Sequence, residues 1–220
     1  MPLFGRSVDR PFKFRDATKK LRKQRLQRRW PNLDLPVEAY GGELPFEPVM
    51  VEHQLVDPTQ RWSLLRRCNV DPTVHPVWRF KGGEQAALAR WQAFKEKGLN
   101  GYARRRNNAA DANGVSRMSA YIHYGMISPM KIAREAAEVG TKSAEKYLDE
   151  LLVFREHPWH HIYATPEPYG VHNLPEWARL SWRSTADDPR TTRYTLRQLQ
   201  RGEVHDPLWA ACQRSLLRHG

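Results

Sequence analysis

An all-α protein is the fold class this sequence predicts, and three observations predict it. From Gly83 onward apolar residues recur at helical spacing, as in Leu88, Trp91 and Phe94. Helix-starting and helix-stopping residues bracket those runs, Ser128-Pro129 with Gly140 being the clearest pair. After residue 83 no run alternates apolar and polar residues for the length of a useful strand.

The chain has 220 residues, enough to bury a real core, and its 40% hydrophobic content with 8 Trp, 8 Tyr and 7 Phe excludes a disordered class. The sequence contains no run of about 18 apolar residues and no apolar N-terminal leader, so neither a membrane span nor a signal peptide is expected. Cys68 and Cys212 are far apart and in no paired motif, which argues for a reducing, cytoplasmic setting and against a disulfide scaffold. Formal charge is +12, but residues 1–30 hold eleven Lys or Arg against two Asp, so +9 of it sits there. A tail of that kind either binds polyanions loosely or solvates the terminus.

Taken in order, residues 1–30 form a basic segment with a helix expected from about Arg15 to Arg29, edged by Leu21 and Leu26 and ended at Trp30-Pro31. Residues 31–82 carry seven prolines and Gly41-Gly42, end at Gly82-Gly83, and read as an extended connector with one short helix near Arg61 to Cys68. Residues 83–220 are the helical body. Its first helix closes at Gly98, Leu99 to Arg106 adds a further turn or two, and Asn107 to Gly114 is a polar loop. Met118 to Tyr124 then forms an apolar helix ended by Gly125, and Pro129 opens the next. Residues 159–186 read as a looser region, with two more helices near Thr195 to Gln200 and Asp206 to Arg218.

The stretch SAEKYLDELLVFREH, Ser143 to His157, reads as about four turns of helix with Ser143 as N-cap and Pro158 as stop. Tyr147, Leu148, Leu151 and Leu152 give it a face to bury, and Glu150 and Phe154, four apart, share a second face. A carboxylate one turn from an aromatic plate can read the polar edge of a flat ring and stack on it. A core helix with a solvated Glu is the plainer alternative.

Ser116-Arg117-Met118-Ser119 follows a polar loop and opens a helix. Free N–H groups, two hydroxyls and a guanidinium could converge there on a phosphate, and ordinary capping is the alternative. Tyr102 and Arg106 add an aromatic-plus-cation face upstream. His157, His160 and His161 cluster, but Pro158 is expected to break the register a metal site would need. No G-x-S-x-G, P-loop, H-E-x-x-H or G-x-G-x-x-G occurs, so the common hydrolase, kinase, protease and Rossmann classes have no motif.

Four blocks, GGEQAALARW (82–91), GYARRRN (101–107), GVSRMSAYIHYGMISP (114–129) and YLDELLVFRE (147–156), resemble in order and spacing the flavin-binding domain of the photolyase/cryptochrome family. An extra residue between Glu150 and Arg155, with LPEWAR (174–179) and HDPLWAACQRSL (205–216), is most similar to class II cyclobutane pyrimidine dimer photolyases. The resemblance covers about 82–216, and residues 10–81 fit more loosely the connector from that family's antenna domain. It implies a fragment, the first half of the helical FAD-binding domain.

By resemblance, Tyr102, Val115, Ser116, Arg117, Met118 and Ser119 are the FAD contacts and Arg155 lies beside the flavin. Glu150 is the catalytic carboxylate that hydrogen-bonds damaged pyrimidines, Phe154 stacks on them, and Arg106 contacts DNA or lies next to the flavin. The implied function is light-driven repair of pyrimidine dimers in damaged DNA by electron donation from excited reduced FAD. The implied protein has no metal, touches no membrane and is a monomer when complete. Alternatives are a cryptochrome-like flavin photoreceptor without repair activity and a non-catalytic DNA-binding helical remnant. Two departures from the family stand out: Phe154 replaces a usual Trp, and His157-Pro158-Trp159-His160-His161 replaces the usual continuation.

Overall fold

The computed structural model describes Val8, residues 10–28, Glu38, 40–47, 57–71, Val77 and 80–219. Among these residues every regular element is helical and no strand occurs, as the sequence predicts. In chain order the α-helices are α1 (Pro11–Gln27), α2 (Pro58–Arg67), α3 (Glu84–Lys97), α4 (Tyr102–Arg105), α5 (Ser119–His123), α6 (Pro129–Val139), α7 (Lys142–Asp149), α8 (Glu156–Tyr163), α9 (Glu176–Ser184), α10 (Leu196–Arg201) and α11 (Pro207–His219). The chain divides into two compact units, Met1–Trp30 with Lys81–Tyr194, and Pro31–Phe80 with Thr195–Gly220.

The core of the first unit is aromatic. Trp91 of α3 is buried and stacks on Tyr147 of α7 at 5.7 Å between ring centroids, while Tyr102 meets Phe94 and Tyr147 edge-on at 6.1 and 5.1 Å. Offset and edge-to-face pairs are the favoured geometries of such rings, and each adds about 0.5–1.5 kcal/mol beyond its burial. Ile132, Ala133 and Ala136 of α6 close the core with no exposed surface. Helix α6 follows its local signals throughout: the Ser128 hydroxyl accepts from the Met130 N–H at 3.2 Å, Pro129 occupies the first turn, and Gly140 ends it at φ 64°.

Helix α1 begins four residues earlier than expected, because Pro11 suits a first turn that needs no N–H. Its most buried residues are Phe14 and Thr18 rather than Leu21 and Leu26. The Thr18 hydroxyl donates to the Phe14 carbonyl at 2.7 Å, which lets a polar residue occupy the docked face. The expected stop at Trp30-Pro31 lies outside the described residues.

The stretch from Ser143 departs most from expectation. Thr141, not Ser143, is the N-cap, its hydroxyl accepting from the Ala144 N–H at 3.2 Å. Ser143 is buried in the first turn and accepts from the Ala103 N–H at 3.3 Å. The helix does not stop at Pro158. It widens into one π-helical turn over Glu150–Phe154, where the Arg155 N–H reaches the Glu150 carbonyl five residues back at 3.0 Å, and then resumes as α8. Pro158 therefore falls in the first turn of a new α-segment, where a missing N–H and a bulky ring cost least. Residues 159–186 are also more ordered than a loose region, holding the end of α8 and all of α9.

The second unit is built from α2, α10 and α11. Asp57 caps α2, and Thr195 with Gln198 forms a reciprocal capping box on α10. Gly202 follows at φ 67°, where an added Cβ would meet the Ala210 carbonyl at 3.1 Å. The Gln213 side chain donates to the Gln200 carbonyl at 2.9 Å and ties α11 to α10.

Candidate functional site

The π-helical turn sets the site. In a continuous α-helix Phe154 would follow Glu150 on the same face, as the spacing predicts. The extra residue in the turn moves the register on by one, so Arg155 and Trp159 share a cleft with Glu150 while Phe154 does not line it. Phe154 is 40% exposed, with the Lys146 ammonium 5.1 Å above its ring.

The cleft has a volume of about 650 Å³. One wall is Ser116 and Met118 from the loop that leads into α5, with Ser119 at the start of that helix; the facing wall is Tyr147, Glu150, Leu151 and Arg155. Its rim is aromatic, with Tyr124 and Trp159 both largely exposed.

The loop wall is held from below. Arg105 grips Asp111 through two hydrogen bonds of 2.6 and 2.9 Å, drawing the polar loop closed and holding the Asp111 carboxyl below its usual range. Gly114 passes so close to that strut that a Cβ would sit 2.8 Å from the Arg105 carbonyl. Arg90 donates to the Ser116 carbonyl at 2.9 Å, and the Tyr147 hydroxyl donates to the Ser116 Oγ at 3.1 Å. Burial pushes the Tyr147 phenol up to about 12, outweighing the opposing pull of the Ser116 contact, so it stays a donor. Arg117 adopts φ 56° and is, among the described residues, the one non-glycine with a positive φ. Left-handed backbone at a residue with a side chain costs of order 1–3 kcal/mol and gathers at binding sites.

The facing wall carries charge. Glu150 Oε1 lies 2.8 Å from the Lys146 Nζ and 3.4 Å from an Arg106 guanidinium nitrogen. Asp149, one residue earlier, takes a bidentate pair from Arg15 of α1, both contacts at 2.7 Å. Arg155 pairs with its neighbour Glu156.

The expected site residues thus divide. Ser116, Met118, Ser119, Glu150 and Arg155 come together in one cleft. Tyr102 is buried beneath Tyr147, with its phenol raised by burial and then by Glu150. Val115 and Arg117 flank the lining residues in sequence, Arg106 reaches the cleft through Glu150, and Phe154 lies outside it. Tyr147, Lys146 and Trp159 were not singled out as site residues. A hydroxyl within an otherwise aliphatic face was the available signal for Tyr147; nothing local marked the other two.

The histidine cluster has a different occupation. Because the helix continues through Pro158, His157, His160 and His161 are in helical register after all. His160 is 1% exposed and accepts the Val8 N–H at 2.9 Å, while the His157 Nε2 lies 2.7 Å from the Val8 carbonyl. Phe14 stacks on His160 at 5.3 Å. The pair holds the Val8 backbone, and burial, then His157 and His161, lower the His160 pKa. Among the described residues no group of His, Cys, Asp and Glu is arranged to hold a metal ion. Among them too, no helix is long and apolar enough to cross a membrane.

No protein-family profile matches the chain. Individual proteins do. It is 35% identical over 141 residues to the deoxyribodipyrimidine photo-lyase of Methanothermobacter thermautotrophicus, covering 64% of this chain and 31% of that protein. The enzymes of the same name from Oryza sativa and Arabidopsis thaliana are 31% and 33% identical, covering 84% and 87% of this chain and 38% of each. The chain thus spans roughly a third of the length of the curated relatives it matches. By that similarity, the chain belongs to the photolyase family.

Proposed function

We propose that this chain supplies the flavin- and lesion-facing part of a light-driven DNA repair lyase that acts on pyrimidine dimers with FAD, of the class II kind. The observation that carries the reading is the single cleft in which the hydroxyls of Ser116 and Ser119 line one wall and Tyr147, Glu150 and Arg155 the other. The residues present suit a flavin nucleotide: hydroxyl donors and a guanidinium for its polar chain, and the apolar surfaces of Met118 and Leu151 for a ring. Such a flavin would bring the photochemical electron transfer that no side chain here provides.

The chain's own tasks follow from its groups. Ser116, fixed by Arg90 and Tyr147, presents its hydroxyl at a set position. Glu150 accepts hydrogen bonds from base N–H groups, which only a base turned out of the duplex can offer in this orientation. Tyr124 and Trp159 offer ring faces at the rim for stacking.

The test is repair and binding together. The full chain is incubated with FAD and a DNA duplex carrying one thymine dimer, and flavin uptake, dimer affinity and blue-light repair are measured. Glu150→Ala is expected to lower dimer affinity and leave flavin uptake unchanged; Ser116→Val is expected to do the reverse. A chain that takes up no FAD and binds dimer and undamaged DNA equally sinks the reading.

A further inference from the structure

Lys146 has no role in the fold and none in the family pattern above, yet its ammonium is held on three sides. It lies 2.8 Å from Glu150 Oε1, 3.6 Å from Asp149 Oδ2 and 5.1 Å above the Phe154 ring. Asp149 is itself locked by Arg15, which gives the ammonium one fixed partner. Arg106 approaches the same Glu150 oxygen from another element, at 3.4 Å. Both close approaches are to Oε1, and no hydrogen bond from the described residues reaches Oε2.

A lysine four residues before a glutamate is the weaker order for helix stability, and a half-exposed ion pair adds only about 0.2–1 kcal/mol. The value of the arrangement is orientation. A carboxylate on a flexible side chain, drawn by one oxygen between two cations, keeps its other oxygen pointed in one direction. A carboxylate oxygen held in this way serves as a hydrogen-bond acceptor for a group approaching from that direction.

We infer that Lys146, with Arg106, is a positioning residue: it holds Glu150 so that its second oxygen meets an N–H of the flipped base, and so makes the site selective for lesions that carry an imide N–H. The inference rests on the photolyase reading and deepens it.

The experiment compares two DNA duplexes, one with a thymine dimer and one whose dimer is methylated at both N3 positions and so offers no imide N–H. For the wild-type chain methylation weakens binding about tenfold, the size of one hydrogen bond to a charged group. Lys146→Met lowers affinity for the ordinary dimer about tenfold and abolishes the methylation penalty, because both changes remove one contact. Lys146→Arg keeps the cation and restores most of the penalty. Flavin uptake and Tm stay near wild type in both variants, which separates positioning from a structural role. If Lys146→Met retains the full methylation penalty, or Lys146→Arg loses it, the inference is wrong while the photolyase reading stands. If the wild-type chain does not prefer the dimer over undamaged DNA, the reading itself fails and the inference goes with it.

Discussion

Helix α6 and the α7–α8 segment differ in how they use their sequence. Helix α6 obeys its local signals from cap to stop, keeps one hydrogen-bond pattern and fills the core with Ile132, Ala133 and Ala136. The α7–α8 segment starts two residues before its best-looking cap, widens over Glu150–Phe154 and runs through a proline. Regularity builds the core, and the one irregular turn builds the cleft. A π-helical turn sacrifices good hydrogen-bond geometry and persists where the shifted register serves a site.

That contrast can be broken from either side. The largest expected effect is on α6: Ile132→Ala leaves a cavity in a wholly buried position and should cost about 2–5 kcal/mol by denaturant unfolding, with little selective effect on the cleft. Next comes removal of the extra residue. Deleting Phe154 converts the π-turn to α-helix and keeps Arg155 on the Glu150 face, but places Pro158 in a helix interior, costing about 3 kcal/mol. Adding Pro158→Ala to the deletion should recover that loss; no recovery would mean that the turn is not what accommodates the proline. Capping is a smaller matter. Thr141→Ala removes the side-chain acceptor for Ala144 and should cost about 1 kcal/mol, measured as a lower Tm.

The smallest effect is of pH on the far end of α8. His160 has a depressed pKa in the folded chain, so the folded state binds fewer protons than the unfolded one. The stability this gives is full above about pH 6.5, the ordinary histidine value, and is lost as pH falls from there through the folded value. A Tm that falls on acidification in the wild type but less in His160→Phe is the expected outcome.

How much of this was legible depended on range. The caps of α6 and the capping box of α10 are local, and the sequence contained them in full. Thr141 and Ser143 are both competent caps two residues apart, and only the burial of Ser143 against Ala103 decides between them. The π-turn was invisible to periodicity, since one added residue in five looks like noise over so short a window. The resemblance to class II sequences did register an extra residue there, but not that it would take Phe154 out of the cleft. Pro158 misled because a proline ends a helix only when the preceding carbonyls are in α-geometry. The serines were found by type and order; Lys146 and Trp159 depend on which face the shifted helix presents.

The docking of α1 has a consequence for how the chain assembles in time. Arg15 and Asp149 are 134 residues apart, and Val8 and His160 are 152 apart. At the pace of ribosomal synthesis, α1 waits roughly ten seconds before its docking partners exist. The aromatic contacts between Trp91, Phe94, Tyr102 and Tyr147 are made among residues downstream of α1, which adds Leu26 at their edge. Helix α1 is therefore made well before the residues it docks on, and its long-range contacts are expected to form late in folding. Weakening Arg15 would hasten unfolding and leave the folding rate alone.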